Sequence, residues 1–158
     1  MKMKAITAIA VFLLSSQTVF AQEVTPCYQE GVEQFLTQIP VIAEPWEENT
    51  ATYANGQVRL AILDTWDPAN TPMHLLILYV SPDLIEAEGR ACVIVSDVEG
   101  RGFQTLTMEG LQAAYDASTG LTFNLAGSRY DFDNNSVTPG TLTVTLNRAT
   151  DQVTAVYQ

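Results

Sequence analysis

Several segments alternate apolar and polar residues with a period of two, the pattern of strands that bury one face. Residues 57–65 set Val58, Leu60 and Ile62 against Arg59, Ala61 and Leu63. Residues 73–80 are apolar on both sides apart from His74, which predicts a central strand covered on both faces. Strands are also predicted at 91–95, which carries Cys92, and at 103–107, with turn chemistry at 67–72 and 99–102. Leu121, Phe123 and Leu125 alternate with Thr122 and Asn124; Ala126, Gly127 and Ser128 then read as a hairpin turn, with 129–132 as the return strand. Leu142, Val144 and Leu146 alternate against Thr141, Thr143, Thr145 and Asn147, and a last strand at 152–157 follows a turn at 148–151.

Two stretches depart from this period. Thr25 and Pro26 have the form of a helix opening, a hydroxyl at the N-cap followed by proline. Tyr28, Val32, Phe35, Leu36 and Ile39 then recur at intervals of three and four, Glu30 and Glu33 lie near the first turn, and Pro40 stops the run. In 108–118, Leu111, Ala114 and Tyr115 suit a short second helix that Gly120 ends. Between 40 and 56 the periodicity lapses into an acidic surface connection around Glu44, Pro45, Trp46, Glu47, Glu48 and Asn49. The expected fold is α+β: one N-terminal helix packed on a mostly antiparallel, meander-like sheet of about six to eight strands, with a possible short second helix.

The first 21 residues stand apart from this fold. Lys2 and Lys4 precede an apolar stretch at 5–14, and Val19 and Ala21 put small side chains where a signal peptidase reads, so cleavage is expected after Ala21. The apolar stretch is far shorter than the roughly 20 residues that span a bilayer. The organisation expected is a signal peptide at 1–21 and one exported domain at 22–158, periplasmic or secreted, with no membrane span. The full chain carries a formal charge of -11; without the leader, which holds both lysines, five arginines face eighteen acids, for a charge of -13. Such a surface repels phosphate backbones, which argues against nucleic acid as a partner.

Export gives the two cysteines a role. Cys27 and Cys92 are expected to pair, tying the start of the helix to the sheet. Redox chemistry usually needs two thiols close in sequence, whereas 65 positions separate these.

Catalytic patterns are scarce. His74 is the only histidine, and its place in an apolar strand suits a hydrogen-bonded core or edge residue better than a general base. Asp131, Asp133 and Asn135 match the first, third and fifth ligands of a calcium loop, but Ser136 stands where the loop needs glycine and Leu142 where it needs a closing carboxylate. A polar hairpin turn explains them, and no metal or cofactor is expected. Glu44, Glu47, Glu48, Asp64 and Asp67 lie near Trp46, Tyr53 and Trp66, residue types that could line a sugar cleft; a solvated acidic surface, with Trp66 in the core, is the plainer reading.

The stretch Ala126, Gly127, Ser128, Arg129, Tyr130 resembles the S-G-x-x-Y loop of bacterial periplasmic inhibitors of C-type lysozyme, with Ala126 in place of the serine. The resemblance implies a loop that enters the lysozyme active site, with Arg129 aimed at its carboxylates, and it makes Ser128, Arg129 and Tyr130 the candidate binding residues. The leading expectation is a non-enzymatic exported domain that binds a protein or another envelope component. The alternatives are a lysozyme-inhibitor-like protein using residues 126–130 and a carboxylate-dependent glycoside hydrolase.

Overall fold

The computed structural model describes residues 20–27, 41–67, 71–82, 89–98 and 100–158. Of these, 64% are strand and 3% helical, and no helix reaches seven residues. Strand is therefore the dominant element of the described residues. The strands are β1 (Phe20–Ala21), β2 (Glu23–Pro26), β3 (Val41–Ile42), β4 (Thr50–Tyr53), β5 (Val58–Asp64), β6 (Met73–Tyr79), β7 (Ala91–Ser96), β8 (Thr105–Asp116), β9 (Gly120–Asp131), β10 (Ser136–Asn147) and β11 (Gln152–Tyr157).

They form two antiparallel sheets. The long sheet has the order β1-β11-β10-β9-β8; the short sheet has β2-β7-β6-β5-β3, with β4 also paired to β5. One core lies between them. Val58, Leu60 and Ile62 of β5 and Leu75, Ile77 and Tyr79 of β6 meet Phe123 and Leu125 of β9 and Leu142, Val144 and Leu146 of β10. On the outside of the long sheet the partner residues are polar and paired across strands: Thr143 Oγ1 donates to Asn124 Oδ1 at 2.8 Å, and the Thr122 and Thr145 hydroxyls lie 3.3 Å apart. As expected, β6 sits in the middle of its sheet.

The expected α+β architecture is not what forms. Thr25 and Pro26, read as a helix opening, belong to β2, where Thr25 pairs with Ile94 and Pro26 with Val93 of β7. β2 is an edge strand, so proline's missing N–H costs it no ladder bond, and Val24 and Thr25 are β-branched residues that suit a strand. The rest of the expected helix, residues 28–40, lies outside the described residues, as does the leader up to residue 19.

The second expected helix is also replaced by strand. Residues 108–116 continue β8, and the helical spacing that Leu111 showed comes from a bulge: the register with β9 shifts between Thr107 and Gln112, and Gly110 takes φ +71°. Met108 and Leu111, three apart, both lie within this irregularity and both pack against the core. Nor do Ala126, Gly127 and Ser128 form a hairpin turn, since β9 runs straight through them with Gly127 directly opposite Gly140 of β10. A Cβ on Gly140 would collide with the Tyr157 ring and with Gln158 O. The glycine there permits close approach of an aromatic ring, a second use of glycine within sheets. The 103–107 strand is divided as well: Phe103 bridges Met73 of the short sheet, and the chain joins the long sheet only from Thr105.

Two joints hold the sheets together. Along one edge, residues 20–26 pass from the long sheet to the short one, with Gln22 N donating to Ala155 O and Glu23 N to Asp97 O. Cys27 closes this seam: its N–H donates to Cys92 O at 2.9 Å, and the two residues are disulfide-bonded with their Cα atoms 5.3 Å apart. The bridge thus clamps an edge strand, not a helix, to β7. In the chain-entropy account a loop of this length gives on the order of 4 kcal/mol, and such a bridge fits an oxidising extracellular or periplasmic environment. At the other joint the β10–β11 turn docks on the end of the short sheet. Arg148 Nε donates to Val80 O, Arg148 Nη1 to Gln57 Oε1, and Ser81 Oγ to Asp151 Oδ2.

Burial, with a hydrogen bond to Asp151 and that carboxylate's charge, pushes the Tyr79 hydroxyl up to about 12. Its folded value exceeds the ordinary 10, so this contribution to stability is present below pH 10 and is lost as pH rises from 10 towards 12. Asp151→Asn keeps a residue that tolerates the φ of +55° at this position but removes the charge. It is expected to lower stability by about 1–2 kcal/mol and to bring the Tyr79 midpoint down, without reaching 10 because burial persists. Tyrosinate absorbance, read as the difference from Tyr79→Phe, checks the shift.

Candidate functional site

The strands of the two sheets differ in length: β8, β9 and β10 have twelve residues each, whereas β5 and β6 have seven. The long sheet overhangs the short one, and at the C-terminal end of β9 the overhang forms a cleft of about 490 Å³. Its walls come from the segment after β7, from β9 and its turn, and from the end of β11.

Asp97 sets the electrostatics. It follows β7, is 6% exposed, and Arg129 of β9 reaches across from the other sheet to place Nε 2.7 Å from Asp97 Oδ1. Gln22 Nε2 donates to the same oxygen at 3.2 Å. Burying a carboxylate is costly unless it is paired and hydrogen-bonded, and both conditions are met here. Gln22 Oε1 itself is buried and has no hydrogen-bond partner among the described residues.

Aromatic rings support the cations. The Arg129 guanidinium lies 5.5 Å over the Tyr157 ring, and that of Arg101 lies 5.1 Å over Phe132. Tyr130 meets Phe132 edge-on at 4.7 Å, and its hydroxyl donates to Asn135 Oδ1. Tyr157, whose ring lies where a side chain on Gly140 would otherwise go, directs its hydroxyl to Gly127 O and Thr138 O. Burial pushes its hydroxyl up, opposed by Arg129 and reinforced by Asp97.

Of the three candidate binding residues, Arg129 and Tyr130 line this cleft. Ser128 is 6% exposed, and its hydroxyl lies 2.7 Å from that of Thr105. The 126–130 stretch, expected as a projecting loop in the inhibitor reading, is the interior of β9, paired with β10 on one side and partly with β8 on the other. Asp97, Arg101, Phe132 and Tyr157 complete the site. They come from separate parts of the chain, and no local pattern marked them.

The stretch from Asp131 to Ser136, which matches part of a calcium loop, is the hairpin turn between β9 and β10. Asp131 Oδ1 accepts from the N–H groups of Asp133 and Asn134, and Asp131 Oδ2 accepts from Asn134 Nδ2. The Asn134 side chain and N–H, with help from Asp133 and against a small burial cost, hold this carboxylate below its usual range. Among the described residues no group of three or more His, Cys, Asp or Glu side chains could hold a metal ion.

The acids weighed for a sugar cleft line neither of the two clefts described for this protein. Glu44, Glu47 and Glu48 are exposed around Trp46, and Tyr53 stacks against Phe123 in the core. Trp66, expected in the core, is 75% exposed, because the chain leaves β5 through a turn in which Trp66 N donates to Asp64 Oδ1 and Trp66 takes φ +58°. No helix among the described residues is long and apolar enough to cross a membrane. Comparison with protein families, with curated proteins and with solved structures finds no match for the chain.

His74 lies on the short sheet, with Nδ1 2.9 Å from Ser96 Oγ; that serine is fully buried, so its hydroxyl is not presented to a substrate. Burial pushes the imidazole down from 6.5, with Glu23 acting against it. The unfolded chain therefore takes up the proton first, and stability present above about pH 6.5 is lost as pH falls below it. His74→Gln is expected to reduce the drop in melting temperature between about pH 7.5 and about pH 5.5. A drop equal to that of wild type would contradict the assignment.

Proposed function

We propose that this protein is a non-enzymatic domain that binds a partner, a protein or another envelope component, through the cleft around Arg129. The observation that carries this reading is the construction of the cleft. Its deepest carboxylate, Asp97, is already committed to Arg129, and both guanidiniums are backed by aromatic rings. Groups locked into mutual hydrogen bonds and stacking are pre-organised for recognition, whereas a general acid or base needs a proton it can exchange with the substrate. Phe132 stands at the rim, 46% exposed, as an aromatic contact for an incoming surface.

The setting we propose is periplasmic or secreted, reached by cleavage after Ala21. The disulfide supports an oxidising destination. Cleavage there would remove β1 and leave Gln22 as the first residue, with the Asp97 contact of its side chain still available. The inhibitor alternative needs a projecting loop at 126–130, and those residues are strand.

Pull-down from an envelope fraction with the mature chain is expected to retain a partner that Phe132→Ala releases or weakens by roughly tenfold. Turnover of glycoside, ester or peptide substrates that disappears in Asp97→Asn would overturn the reading. Mass spectrometry of the exported, non-reduced chain is expected to show Gln22 at the N-terminus and a mass two hydrogen atoms below that of the dithiol. Free thiols or a retained leader would refute the proposed address.

A further inference from the structure

At the opposite end of β9 the long sheet overhangs the short one on a surface of different character. A cleft of about 500 Å³ opens between the β8–β9 turn, the β10–β11 turn and the end of β4. That volume falls in the range of about 300–1,000 Å³ common to small-molecule sites. Leu121, Leu146, Tyr53 and Tyr115 are among its lining residues. Leu146 is fully buried and Leu121 half-buried. Tyr115 pairs directly with Leu121 across β8 and β9 and so shares its inward face, yet it is 73% exposed. Leu121 and Arg129 are eight positions apart on β9, which puts the two clefts roughly 25 Å apart at strand rise.

The charge at this cleft runs against that of the whole chain. Of the chain's eighteen acids, none among the described residues lines the cleft, and the one charged lining residue among them is Arg148. Both hydrogen bonds of Arg148 go to neutral oxygens, Val80 O and Gln57 Oε1, and it makes no ion pair with a described residue. The guanidinium thus lines an apolar hollow with no carboxylate among the described residues paired to it, and its described hydrogen bonds use Nε and Nη1. A guanidinium in such a position favours a carboxylate, and the hollow favours an apolar body.

We propose that this cleft binds a free amphiphilic monocarboxylate, its chain or ring between Tyr53 and Tyr115 and its carboxylate on Arg148. The net charge makes the test stringent. At long range the acidic protein attracts cations and repels anions, so a preference for the anion has to come from the local site.

Titration calorimetry with the full chain, below micellar concentrations, would compare dodecanoate, dodecan-1-ol and dodecylammonium. Dodecanoate is expected to bind, with the alcohol and the ammonium at least roughly tenfold weaker. Arg148→Gln should erase the preference for carboxylate over alcohol. Tyr115→Glu, a change at an exposed position, should weaken dodecanoate whether or not the Arg148 variant folds. Phe132→Ala, in the other cleft, should leave dodecanoate binding unchanged, so this site and the partner-binding cleft can fail separately. The proposal is overturned if dodecanoate does not bind, if dodecylammonium binds as well, if both cleft variants bind like wild type, or if the protein associates only with anionic vesicles.

Discussion

Two sheets with strands of unequal length must share one core, and most of what distinguishes this molecule follows from that constraint. Twelve-residue strands face seven-residue strands, roughly 40 Å against roughly 23 Å at strand rise. The long sheet's inner face is therefore buried only in part: Phe123, Leu125, Leu142, Val144 and Leu146 are fully enclosed, whereas Arg129, Asp131 and Tyr115 on the same face reach solvent. Each overhang then takes its chemistry from the residues that happen to continue the inward alternation. At one end these are Arg129 and Asp131; at the other they are Leu121 and Tyr115.

The polar end shows how a charge can be placed inside a sandwich. Arg129 occupies an inward position, where an isolated guanidinium would be poorly tolerated, and Asp97 from the opposite sheet accepts from it while also accepting from Gln22. The long sheet, the short sheet and the segment that runs between them meet at that one carboxylate. Cleft and inter-sheet seam are built from the same atoms, so a partner bound beside Arg129 would sense how the sheets are joined.

Much of the sheet was legible because its cause is local. Val58, Leu60 and Ile62, or Leu142, Val144 and Leu146, announce a half-buried strand by alternation alone. What failed were features whose cause lies elsewhere in the chain. Thr25 and Pro26 carry a helix-opening pattern, but β7 offers them a ladder that no local rule foresees. Gly127 looks like a turn residue until Gly140 and the Tyr157 ring are placed beside it. Arg129 and Tyr130 drew notice through a five-residue likeness, yet the cleft they share with Asp97, Arg101 and Tyr157 depends on three segments brought together by folding. The disulfide needed only two cysteines and a compartment, so it could be read directly.

The bulge in β8 has a consequence for the protein's life among its own copies. β8 is the outermost strand of the long sheet, and an even edge of that length would offer a ladder of unpaired N–H and C=O groups to any neighbour. The shift between Thr107 and Gln112, with Gly110 turned to positive φ and Glu109 exposed beside it, breaks that ladder near its middle. The irregularity that gave this stretch a helical look also denies a second chain a template on which to stack, and so guards a β-rich protein against growing into fibrils.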